Sequence, residues 1–268
     1  MRREEELVAA LVAALVEAVL PSVSMRPVEE QSAGQWDYDL VTQAETFPFE
    51  VTRFTSAPRN RLYKAILGKQ SDDAWIPRQV CKKDWWIHPS HIADIRRVRK
   101  GIDGMLAEVE SLGLREFDIN GVGSDTEPVR ALWNELRIES GCQMDWNPTG
   151  FIALSLPGES AMLCADHVFD AASHVMNKAD NRKKLGASPA SERHLGVFID
   201  ELGYPAQASM QYGYFPSEPL VLPGEITHVW LFTWVAHPAK YCVWRYASRE
   251  GWRDLGVHSG VRPDAGPT

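Results

Sequence analysis

Four features are missing from this chain of 268 residues: a long apolar run, a positive net charge, a paired cysteine motif and an internal repeat. A bilayer span takes about 20 consecutive apolar residues, and no stretch reaches that, so no membrane segment is expected. The formal net charge of −8 argues against a generally basic, nucleic-acid-binding surface. The four cysteines, at 81, 142, 164 and 242, are far apart and form no Cys-x-x-Cys. That disfavours a zinc ribbon and a disulfide framework, and fits a reducing cytosol. Two arginines and an apolar run open the chain like a leader, but Glu4, Glu5, Glu6 and Glu17 interrupt it, and no convincing cleavage site follows. A cytoplasmic protein is therefore expected. The dinucleotide fingerprint is incomplete as well. Gly121-Val122-Gly123 precedes a helix, but position 126 is Thr and no acid marks a second strand end, so a tight turn is the better account.

The residues present belong to a globular α/β chain. A 3.6-residue period in Leu7, Leu11, Val12, Leu15, Val16 and Val19 predicts a helix over 3–20, with acids at its N-terminus and Pro21 after it. Further helices are predicted over 60–67, 91–112 (capped by Ser90), 127–138 and 165–185. Strands are expected at 84–88, 115–119 and 194–200. The last, His194 to Asp200, is nearly all apolar, as in a strand covered on both faces. Residues 142–146 and 150–156 read as a hairpin turning at Asn147-Pro148-Thr149-Gly150, and 226–235 with 241–246 as another. Residues 204–223 read as a surface loop. One domain over 1–257 is expected, with a flexible tail at 258–268.

The stretch Trp36 to Phe54 carries the chemistry. Tyr38–Thr42 and Phe47–Phe54 read as paired strands, the second with Phe49, Val51 and Arg53 alternating with Glu50, Thr52 and Phe54. A buried acid needs a partner or a metal. Asp39 on the first strand and Glu50 on the second are candidates to converge on one hard cation, Mg²⁺ or Mn²⁺. The plainer alternative is a hairpin with two solvated acids. From Arg53 to Lys100 twelve Lys/Arg face four Asp, a local excess of eight positive charges that a phosphate backbone would match. A solvated charge run is the ordinary reading of such a count.

This hairpin resembles the PD-(D/E)XK nuclease superfamily, in which an Asp near one strand start and a Glu-x-Lys on the next bind a divalent metal. The resemblance implies a restriction-endonuclease-like core: a mixed central sheet flanked by helices, here with a C-terminal β-hairpin extension. Asp39 matches the Asp and Glu50 the Glu. Thr52 stands where the Lys belongs, and no Pro precedes Asp39. A lysine from elsewhere would then serve, Lys184 first, with Lys183 and Lys64 behind it. The family's first helix can carry an extra acid, for which Glu17, Glu29 and Glu30 are candidates. The order Asn181, Lys184, Leu185, His194-Leu195 and an apolar strand to Asp200 is also similar to a pattern in uncharacterised actinobacterial proteins with a Glu-Val-Thr strand. The expected activity is metal-dependent phosphodiester hydrolysis on nucleic acid, with Asp39, Glu50 and Lys184 as the catalytic set. The alternative is an inactive nuclease-like scaffold that binds nucleic acid, a protein partner or a second copy.

Three weaker constellations remain. His88 and His91 straddle Pro89, so they do not share a helical face. Cys164 and His167 supply a nucleophile and a base without a clear relay. Trp230, Trp234, Trp244 and Trp252 offer a base-stacking platform, although alternating aromatics in strands are more often core.

Overall fold

The computed structural model describes residues 2–28, 35–68, 74–144, 150–156, 163–236 and 240–261. In chain order the elements are α1 (Arg2–Val19), β1 (Ser24–Pro27), β2 (Tyr38–Val41), β3 (Thr46–Phe54), α2 (Ala57–Leu67), β4 (Trp75–Pro77), β5 (Trp85–Pro89) and α3 (Ile95–Ser111). Then come β6 (Glu116–Asp118), α4 (Glu127–Ala131) running into a π-helical turn (Leu132–Leu136), β7 (Ile138–Gln143) and β8 (Phe151–Leu154). The last part holds α5 (Ala165–Met176), α6 (Ala179–Gly186), β9 (His194–Ile199), α7 (Ala206–Gln211), β10 (His228–Ala236), β11 (Lys240–Ala247) and β12 (Gly251–Ser259). The chain divides into two compact units: Met1–Thr55 with Ala161–Thr268, and Ser56–Ser160. Among the described residues no helix is long and apolar enough to cross a membrane.

The first unit is built on a seven-stranded mixed sheet, ordered β1-β2-β3-β9-β10-β11-β12. β3, β9 and β10 are mutually parallel, and the other neighbours are antiparallel. Every residue of β9 is buried, because both faces of the sheet are covered. On one face Leu11, Val12, Leu15 and Val16 of α1 pack with Phe49, Phe198, Trp230, Phe232 and Val243. On the other, Val168, Ala172 and Val175 of α5 and Leu185 of α6 pack with Leu195, Val197, Val229 and Leu231. Gly196 makes the first packing possible. A Cβ there would lie 2.5 Å from Phe49 Cε1 and 3.3 Å from Val12.

The second unit has a five-stranded sheet, ordered β4-β8-β5-β7-β6. The apolar stripe of α3 (Ile95, Val98, Ile102, Leu106, Val109) packs there with Trp85, Ile87, Phe117, Ile138 and Ile152. Two α3 carboxylates fasten the preceding loop. Asp103 accepts from the backbone N–H of Gln79, Val80 and Cys81, and Glu110 from those of Lys82 and Lys83.

Several expectations are corrected. The strands do not form one sheet: β5 and β6 belong to the second unit, whereas β2, β3 and β9 belong to the first. β7 and β8 do not pair with each other; β7 joins β5 to β6, and β8 lies between β4 and β5. Residues 147–149 of the expected turn lie outside the described residues. The helix at 91–112 starts at Ile95, because Asp94, not Ser90, accepts from the Arg96 and Arg97 N–H groups. Residues 204–223 are not all loop, since α7 is buried there. β12 turns the C-terminal hairpin into three strands and carries order to Ser259. Gly121-Val122-Gly123 is a turn, as expected: Gly121 N–H donates to Asp118 O, and Gly123 has φ +75°.

The expected 165–185 helix is broken. Lys178 is extended (φ −64°, ψ 127°), so α5 ends and α6 begins afresh. The buried Asn181 caps the broken end, its Nδ2 donating to Val175 O at 3.0 Å. That break lies six residues before Lys184 and so bears directly on the site.

Candidate metal centre

Pleating of β3 assigns its side chains to two faces. Phe49 belongs to the cluster under α1, whereas Phe54 packs with the α5 cluster. Glu50 shares the Phe54 face and meets α6. The residue is 2% exposed. Oε1 accepts from Lys184 Nζ at 2.7 Å. Oε2 is buried and meets no donor among the described residues, while the Asp37 carboxyl lies within hydrogen-bond reach of the Glu50 side chain. Asp37, one residue before β2, joins them, with Oδ2 accepting from Val51 N–H at 2.8 Å. Asp180, one helical turn before Lys184, lies 3.6 Å from its ammonium.

The electrostatics follow from burial. Desolvation pushes the Glu50 carboxyl up to about 8; the Asp37 charge adds to this and Lys184 pulls it back. Burial raises Asp37 as well, against the Val51 N–H and the Lys184 charge. Two carboxyl groups out of water, one with an oxygen that meets no donor, are short of positive charge, and one ammonium at the rim supplies part of it. Hard divalent cations take carboxylate oxygens of this kind. Asp37 and Glu50 are the residues that would hold one.

The structure brings Glu50 and Lys184 together and leaves Asp39 aside. Asp39 pairs in register with Pro48, and its Oδ1 accepts from Trp36 Nε1 at 2.8 Å. Asp37 is the residue the sequence reading missed. Lys183 is exposed on α6, and Lys64 lies on α2 of the second unit. Glu17 is engaged elsewhere, accepting from Met25 N–H at 2.6 Å; Glu29 and Glu30 lie outside the described residues. His88 Nδ1 is 2.9 Å from Ser155 Oγ, and His91 is exposed. Cys164 is extended (φ −151°) just before α5, so it shares no helical face with His167. Trp230 and Trp244 are core residues, 0% and 1% exposed.

A second cluster occupies the α1 face. Glu192, His194 and His228 bring ligand-type atoms within 4.8 Å of one another. The hydrogen bonding argues against a cation there. Trp230 Nε1–H donates to His194 Nδ1 at 3.1 Å, so the imidazole proton belongs on Nε2, 3.3 Å from Glu192 Oε2. A metal at Nε2 would need the opposite tautomer, whose Nδ1–H would oppose the indole N–H. The Arg245 guanidinium, 5.4 Å over the Trp230 ring, adds a fixed positive charge. Burial holds His194 below its usual range. Burial, then the neighbouring His194, lowers His228 to about 4.

Comparison with protein families, curated proteins and solved structures finds no match to this chain.

Proposed function

We propose that the first unit binds Mg²⁺ or Mn²⁺ between Asp37 and Glu50 and hydrolyses phosphodiester bonds of nucleic acid. The observation that carries this reading is Glu50: a buried carboxylate with an oxygen that meets no donor, beside a second carboxylate and a lysine delivered by another helix. The helix α1 laid on the sheet, and acids on and immediately before an antiparallel strand pair, support a restriction-endonuclease-like core. A divalent cation at such a site polarises a phosphoryl oxygen and lowers the pKa of an attacking water. Lys184, which replaces the lysine absent at Thr52, offsets charge on the phosphorane-like transition state or orients that water. The basic stretch 53–100 supports a nucleic-acid substrate. The free thiols of Cys81, Cys142, Cys164 and Cys242 support a reducing, cytoplasmic setting.

Thermal melting with Mn²⁺ tests the site. A cation that binds only the folded state at about 100 times its Kd stabilises it by about 2.7 kcal/mol, a rise of roughly 5–10 °C in Tm. The rise is expected in wild type and absent in Glu50→Gln and Asp37→Asn. No rise at millimolar Mn²⁺ overturns the reading. A rise without cleavage of duplex or single-stranded substrates leaves an inactive scaffold that binds nucleic acid or a protein partner.

A further inference from the structure

We infer that the exposed face of α2 and α3 in the second unit grips the phosphate backbone of double-stranded nucleic acid. The inference rests on the nucleic-acid reading above. Arg61 and Lys64 on α2, and Arg96, Arg97 and Lys100 on α3, are all exposed. Their charged groups have no ion-pair partner among the described residues. The two helices are tied together by Arg99, whose Nη2 donates to Ala65 O and Ile66 O at the end of α2, at 3.2 and 2.8 Å.

The nearby acids offset only part of this charge. Asp94 accepts from the Arg96 and Arg97 backbone N–H groups, at 3.0 and 3.4 Å. Asp103 accepts from three backbone N–H groups of the 79–81 loop. Both carboxylates stay charged but are engaged by the backbone, and neither ion-pairs with the five side chains among the described residues. Five free cations on two joined helices thus form a positive face in a chain whose net charge is −8, an asymmetry that orients the molecule toward a polyanion.

The chemistry of the face favours a duplex over the other polyanions. Leu62 and Ile66 of α2, like Ile95, Val98, Ile102, Leu106 and Val109 of α3, are buried. No apolar stripe is left to enter a membrane interface. The single aromatic residue of the two helices, Tyr63, is half-buried, so no ring is exposed for stacking on single-stranded bases. What remains is forked guanidinium and ammonium groups, which match phosphate and carry no base readout.

The test is anisotropy of a fluorescent duplex with the full chain in EDTA, which prevents metal-dependent cleavage. Five neutralised phosphates give a log–log salt slope of about −4.5, a loss of roughly 500-fold in affinity between 50 and 200 mM salt. Arg96→Glu/Arg97→Glu/Lys100→Glu should reduce that loss to roughly tenfold. The neutral Arg96→Gln/Arg97→Gln/Lys100→Gln, with its melting temperature unchanged, should do the same. Wild-type binding that is flat in salt overturns the inference. So do triple variants that keep the full slope, or binding to phosphatidylserine vesicles without duplex binding. Salt-dependent binding without cleavage in Mn²⁺ removes the hydrolase reading and leaves this one. Cleavage with an undiminished slope in the triple variants does the reverse.

Discussion

Two ionisable clusters lie on opposite faces of one sheet, each with one buried member, Glu50 or His194, and only one is built like a cation site. Asp37, Glu50 and Lys184 lie on the α6 side. Glu192, His194 and His228 lie under α1 and, by residue type alone, look more like metal ligands. The difference is in what each cluster lacks. On the α6 side the unmet atom is an acceptor, Glu50 Oε2, among two carboxyl groups and a single ammonium. On the α1 side His194 Nε2 carries a proton, because Trp230 donates to the other ring nitrogen, and that proton faces Glu192 Oε2 at 3.3 Å. An acceptor that no donor meets attracts a cation; an N–H already turned to a carboxylate offers a cation no lone pair. Residue inventory does not decide between them, whereas the direction of one hydrogen bond does.

The largest expected effect breaks the first cluster. Glu50→Gln keeps the volume and removes the charge. Cleavage should fall by about 100- to 1,000-fold, in line with loss of one preorganised charge-stabilising group. Lys184→Met should lower kcat by a similar factor with little loss of stability. A carboxyl that titrates near 8 with the ammonium beside it already holds its proton at neutral pH in the metal-free protein, and loss of Lys184 pushes it further up, so no bare charge is left behind. If Lys184→Met unfolds the protein, the pair is structural and its catalytic assignment fails.

The second cluster should register in acid. His228 titrates at about 4 when folded, against 6.5 when unfolded. Between those values the unfolded chain binds the extra proton, so stability rises with pH and is lost as pH falls from 6.5 toward 4. The loss attributable to His228 is about 3 kcal/mol at most. Urea midpoints measured from pH 7 to 4 check it: His228→Gln should flatten that arm, and an unchanged arm would place the acid sensitivity elsewhere.

Trp230→Phe tests the hydrogen-bond argument itself. It removes the indole donor and frees His194 to move its proton to Nδ1, leaving Nε2 open. Zn²⁺ affinity should rise by about 10- to 100-fold, the usual leverage of such outer partners. Isothermal titration of both proteins measures the change. Equal affinity would mean that Trp230 does not hold the tautomer.

Much of this was legible in the sequence. The α1 helix, the buried strand β9 and the β2–β3 pair stood out because periodicity reports burial on one face or two. The two-sheet division did not. Short strands such as β4 and β6 owe their pairing to distant partners, and nothing local in their three residues fixes it. Lys184 was found by elimination, whereas the α5–α6 break that presents it depends on Asn181 reaching back to Val175 O.

Asp37 escaped for a sharper reason. Strand ends at Thr42 and Phe47 set Asp39 across from Glu50. The actual ends are Val41 and Thr46, because the Thr42 hydroxyl accepts from Ala44 and Glu45 N–H and closes the turn one residue earlier on each strand. With Tyr38 opposite Phe49, the position facing Glu50 is 37.

The smallest expected effect checks that register. Asp39→Asn retains an oxygen for the Trp36 indole N–H, so it should cost about 1 kcal/mol or less. The Mn²⁺-induced rise in Tm should remain. Asp37→Asn, two residues away on the same strand approach, should abolish it. If Asp39→Asn instead loses the metal response while Asp37→Asn keeps it, the turn closes one residue later than the Thr42 hydrogen bonds place it, and the cation is held by the pair those later strand ends would bring together.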